Sequence, residues 1–149
     1  MIIKGINNQT VELRIMNYQF PGTSDREYDG NWLNIYLKVD SELGKWQTID
    51  PSLLTWEVEE LINWLHTLSN NIAPENKLLE FLEPNLSFEL LSKQTDSVKQ
   101  FKLIFQLESR PKSAKEEEEY YVIFEANQEY LNQLANDLSS ELKKYPMRK

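Results

Sequence analysis

Apolar residues recur along two stretches of this chain with the period of a helix. Val58, Leu61, Ile62, Leu65 and Leu68 fall at i, i+3, i+4, i+7 and i+10, which places them on one face. The residues just before them suit a helix start near Thr55. Its hydroxyl fits an N-cap, and Glu57, Glu59 and Glu60 set negative charge against the unpaired N–H groups of the first turn. The pattern fades in Ser69-Asn70-Asn71, and Pro74 bars its continuation. Leu131, Leu134, Ala135, Leu138 and Leu142 form a second stripe, in a helix from about Asn127, a candidate N-cap, to Lys144.

Elsewhere the period is two. Ile2, Ile3 and Ile6 start a short strand, and Asn7-Asn8-Gln9 turns the chain into Val11, Leu13 and Ile15. The apolar positions then shift to Met16, Tyr18 and Phe20, a change of face that predicts a bulge near Ile15. In the third strand Leu33, Ile35, Leu37 and Val39 alternate with Trp32, Asn34, Tyr36 and Lys38. A hairpin turn over 41–44 leads to a fourth strand, 45–49, which Asp50-Pro51 ends. Beyond the first helix, Leu78, Leu79, Phe81 and Leu82 make a short apolar segment stopped by Pro84. Three further strands are centred on Phe88, Leu103 and Val122. Residues 109–119, basic and then acidic, read as a solvated hairpin loop between the last two.

The order ββββ-α-βββ-α, with mostly short connections, predicts an α+β fold: a largely antiparallel sheet of about seven strands with two main helices. Its 149 residues suit a single domain over 1–149, and four Trp, six Phe and seven Tyr supply bulky core material. Both halves end in a helix, although no residue-level repeat accompanies that hint of duplication.

Composition narrows the chemistry. With no Cys there is no disulfide, thiolate nucleophile or Cys-ligated metal. The first residues lack the pattern of a secretory signal, and no apolar run approaches the roughly 20 residues of a membrane helix, so the reading is cytoplasmic, with no membrane partner. A net charge of −8 argues against nucleic-acid binding and favours a basic protein partner, although such charge also serves ordinary solubility.

Each candidate for chemistry has a plainer explanation. Asp25, Glu27, Asp29 and Gly30 match the first half of a calcium-binding loop, but Tyr36 stands where a bidentate Glu is needed. The alternative is an acidic turn whose side chains bond the local backbone. His66, the single histidine, lies at the border of the apolar stripe, where a packing role is the simpler reading. The carboxylates cluster at a helix start and in a charged loop, away from the paired geometry of a glycosidase. No catalytic residue, metal or cofactor is therefore assigned. Trp32, Tyr36, Trp46, Trp56 and Trp64 serve either as a second packing face under a loop or helix, or as a partner surface. In the second case Asp25, Glu27, Tyr28, Asp29, Trp46, Trp56, Glu57 and Glu60 make an acidic, aromatic patch.

Three blocks, YDGNWLNI from Tyr28, WQTIDPSLLTWEVEELINWL from Trp46 and LEPNLSFEL from Leu82, resemble the WapI-like family of small bacterial immunity proteins. DPSLLTWEV is the most specific of them. Alanine is common in the family where this chain has Gly30, a departure expected to loosen the turn. The resemblance implies a cytosolic protein that binds the toxic C-terminal domain of a contact-dependent polymorphic toxin, often an RNA-cleaving nuclease, and transfers no catalytic residue. Two other classes stay open at this stage: a non-immunity interaction module of the same fold, and a small ligand-binding domain or enzyme.

Overall fold

The computed structural model describes residues 1–93 and 97–149. Among them the strands form two four-stranded antiparallel sheets, each followed by a helix. The first sheet runs in chain order through β1 (Ile2–Lys4), β2 (Thr10–Tyr18), β3 (Trp32–Ser41) and β4 (Gly44–Leu54). Helix α1 (Thr55–Ser69) follows. The second sheet contains β5 (Leu78–Leu79), β6 (Leu86–Lys93), β7 (Val98–Phe105) and β8 (Tyr120–Asn127), again in chain order, and α2 (Gln128–Leu142) follows it.

The α+β class and antiparallel pairing are as the sequence predicts. The single sheet of about seven strands is replaced by two sheets and the order ββββ-α-ββββ-α. The additional strand, β5, is two residues long and pairs with Phe88 and Glu89, too short to alternate legibly. The repeated ββββ-α order carries the hint of duplication at the level of architecture.

Alternation sets the faces. Val11, Leu13 and Ile15 of β2 and Leu33, Ile35, Leu37 and Val39 of β3 are buried, and the β2–β3 register slips between Ile15 and Asn17, at the expected bulge. Strand β4 corrects the expectation that the chain turns at Asp50-Pro51. It continues to Leu54, because Asn34 alone stands opposite Pro51 and Ser52. That bulge, on the edge strand of its sheet, accommodates a residue with no N–H to give.

The strand then passes straight into α1, so the N-cap is Leu54 and Thr55 is the first helical residue. Glu57 reaches back to accept the Leu54 N–H at 2.9 Å, and the Thr55 hydroxyl donates instead to Asn31 Oδ1 at 2.9 Å. At α2 the cap is as expected, with Asn127 Oδ1 accepting from the Tyr130 N–H at 2.8 Å.

One hydrophobic cluster unites both sheets and both helices. Val58, Leu61, Ile62, Leu65 and Leu68 of α1 are buried, and Trp64 lies against Phe88 and Phe101 of the second sheet. Leu131, Leu134, Ala135 and Leu138 bring α2 into the same core. The stripe of α1 thus faces the second sheet and α2, and its opposite face is left to solvent. Among the described residues, no helix is long and apolar enough to cross a membrane.

Candidate functional site

The outward face of α1 carries Trp56, Glu59, Glu60 and Asn63. Tyr28 meets the Trp56 ring edge-on, with centroids 5.6 Å apart, which joins the 25–29 loop to this face. Asp29, Glu27 and Tyr28 are exposed and Asp25 is half-buried. Asp25 Oδ1 accepts the Glu27 N–H at 2.7 Å, so its carboxylate bonds the local backbone, as an acidic turn does.

Asn31 holds that loop in place. It is fully buried, and its amide donates to Arg26 O, Glu27 O and Arg148 O. Its oxygen accepts from the Thr55 hydroxyl and the Arg148 N–H. One side chain therefore ties the acidic loop, the start of α1 and the 146–149 segment together. Arg148 adds bonds to Phe20 O and Pro21 O and lies 3.7 Å from the centroid of the Tyr18 ring. Gly30 corrects the expectation of a loosened turn: a Cβ there would overlap the Asp25 carbonyl oxygen, so glycine permits a close, tight approach.

Two residues expected in the partner patch are engaged internally. Trp46 packs on Phe105 and Tyr120 and donates its indole N–H to Ser109 O at 2.9 Å, pinning the two sheets together under the 109–119 loop. Glu57 is buried. Its two oxygens accept the Leu54 N–H and, at 2.6 Å, the Leu82 N–H, which anchors the apolar segment before Pro84. The structure thus leaves Glu27, Tyr28, Asp29 and Glu60 exposed and Asp25 and Trp56 half-buried, while Trp46, also half-buried, and the buried Glu57 bond to the protein's own interior.

What the sequence reading passes over is where the charge lies. Between Trp46 and Ser92 the chain has eight carboxylates and one Lys, leaving sixteen carboxylates and fifteen cations for the rest. Nearly all of the net charge belongs to this segment, and the fold strings its acids together. Burial raises Glu57 above the usual carboxylate range; the Leu82 and Leu54 N–H bonds oppose that, and Glu60 and Glu83 add to it. Asp50 is likewise raised by burial and by Glu108, opposed by its 2.8 Å bond from Asn85, with Glu83 contributing. Glu60 and Glu83 near Glu57, and Glu83 and Glu108 near Asp50, make an acidic band with Glu57 buried within it and Asp50 half-buried. By contrast, the 25–29 loop carries Arg26 among its acids, and Asn31 bonds the Arg148 backbone beside it. The sequence shows the acidic band only in part, because its members come from β4, α1, the connection before β6 and the 107–109 turn, the last of them outside 46–92.

His66 lies with Nδ1 3.3 Å from Asn132 Oδ1, in the contact between α1 and α2, the packing role expected of it. Among the described residues no group of three or more His, Cys, Asp or Glu is placed to hold a metal ion. The model of the family described as Immunity protein WapI-like family matches residues 1–146. No curated protein and no solved structure matches the chain.

Proposed function

Because the chain belongs to the WapI-like immunity protein family, we propose that it is a stoichiometric inhibitor of a basic toxin domain. Membership gives it an immunity role and a partner toxin protein. The finer reading is that this partner is a cationic C-terminal toxin domain, an RNA-cleaving nuclease, met in the cytoplasm and covered by the acidic face of α1. The observation that carries it is the concentration of the excess carboxylate in residues 46–92, where Glu59, Glu60, Glu75, Glu80 and Glu83 are exposed.

Physical chemistry favours this pairing. A nuclease groove must be cationic to hold phosphates, and a band of carboxylates occupies the place those phosphates would take. Long-range attraction speeds the encounter, and close charge pairs at such interfaces couple by roughly 1.5–7 kcal/mol. Tyr28 and Trp56 supply aromatic surface of the kind that dominates binding energy. The test is co-expression with the toxic C-terminal domain encoded beside the chain's gene, followed by size-exclusion chromatography of the purified mixture. Restored growth and a one-to-one complex support the proposal; unrelieved toxicity with no complex overturns it.

A further inference from the structure

An open groove of about 580 Å³ runs beside α1, between the helix and the segment that leads from it to β5. Glu60, Glu75 and Glu80 line it, and all three are exposed. None has an ion-pair partner among the described residues. The rest of its wall is mixed: Trp64, Pro74, Leu78 and Leu79 give apolar surface, with Leu78 40% exposed, and Asn63, Thr67 and Asn76 give neutral polar groups. Lys77, the one cation between Trp46 and Ser92, is not part of the lining.

The groove is preformed. The Trp64 indole N–H donates to Asn76 O at 3.1 Å, the Ile72 N–H to Thr67 O at 3.1 Å and the Leu90 N–H to Lys77 O at 2.8 Å. These bonds fix the segment against helix and sheet before anything binds, so little ordering entropy is left to lose on association. Glu60 belongs to both the groove and the acidic band, so the groove continues the α1 face rather than standing apart from it.

We infer that this groove seats an arginine- or lysine-bearing segment of the toxin. Apolar patches at Trp64, Leu78 and Leu79, set among three carboxylates and neutral amides, match a side chain that has an aliphatic stem and a cationic, hydrogen-bonding head. A neutral or acidic segment would leave the three like charges uncompensated, and a purely apolar one would desolvate them without return. Discrimination between related toxins then depends on whether a cation stands opposite Glu60, Glu75 and Glu80. This deepens the inhibitor reading and rests on it for the identity of the partner.

The experiment has two arms that separate the two claims. In the first, a short arginine-containing peptide, acetylated and amidated at its ends, is titrated into the chain and followed by NMR. A citrulline peptide of the same length is the control. The inference expects saturable shifts of the Trp64 indole N–H and the Asn63 and Asn76 amides with arginine only, lost in Glu75→Gln/Glu80→Gln. Shifts spread equally over the 116–119 carboxylates, or none, overturn it. In the second arm, the same double variant is compared with Glu116→Gln/Glu117→Gln, which removes equal charge from the 109–119 loop, for affinity to the toxin domain. The groove pair weakens binding about tenfold or more, and the loop pair by less than about threefold. Equal losses overturn the groove while leaving the inhibitor reading intact. A groove that takes arginine in a protein that protects against no toxin leaves the groove standing and removes that reading.

Discussion

Two parts of this molecule are rich in glutamate, and they are built in opposite ways. In the 109–119 loop, four consecutive glutamates follow three cations, and the loop is bound up within itself. The Arg110 guanidinium donates to Lys115 O and Glu118 O and stands over the Tyr120 ring; Lys102 pairs with Glu119. Along α1 and the segment beyond it the carboxylates carry one Lys among them, and Glu60, Glu75 and Glu80 line a shaped surface. The more conspicuous acidic run is thus the one nearly offset by neighbouring cations, with Glu119 ion-paired and Glu118 accepting from the Tyr120 hydroxyl. The proposed partner surface lies where the fold leaves charge uncompensated, and a run of letters does not reveal that.

The largest predicted effect concerns Trp46, which belongs to the frame. Trp46→Ala removes two aromatic contacts and the indole bond to Ser109, and is expected to lower stability by about 3 kcal/mol in urea denaturation. A stable Trp46→Ala variant with impaired toxin binding would return this residue to the partner surface. Next, Asn31→Ala strips several buried backbone groups of their partner and is expected to cost about 2–3 kcal/mol. It also frees the 25–31 loop, seen as faster amide exchange at Glu27 and Tyr28.

Trp56→Ala reverses the pattern. Its ring is half-exposed, so stability changes little, while toxin affinity falls by about 2 kcal/mol, the usual scale of a central aromatic anchor. The smallest effect belongs to Glu57→Gln, expected to lose about 1–2 kcal/mol because an amide can serve only one of the two N–H donors. Its pH dependence carries the sign. A carboxyl raised in the fold binds its proton more tightly there than in the unfolded chain. Its stabilising contribution is therefore full below the ordinary carboxylate range and lost as pH rises through the folded value. The stability gap between parent and Glu57→Gln narrows as pH rises across that window, measured as urea midpoints. A gap that widens would contradict the assignment of burial as the dominant cause.

Much of the fold could be read from periodicity. The β3 alternation, the bulge after Ile15, the α1 stripe and the Asn127 cap all follow from local rules, because each depends on neighbours within one element. The misreadings have a common cause in contacts between distant segments. Asp50-Pro51 looks like a turn until a bulge against Asn34 absorbs it, and Thr55 looks like a cap until Asn31 claims its hydroxyl. Glu57 looks like first-turn surface charge, but Leu82, far along the chain, buries it. In the candidate site, Tyr28 and Trp56 belong to one predicted patch and do meet, whereas no sequence signal marks Glu75 and Glu80. They sit in a connection without a hydrophobic period, and only the fold brings them beside Glu60.

The most direct test of the α1 face as the partner surface is hydrogen–deuterium exchange of the chain alone and in complex with the toxin domain. The account predicts slowed exchange in 25–31 and 55–80 and unchanged exchange in 109–119. Protection of the 109–119 loop, with the α1 face exchanging as it does in the free protein, would contradict it.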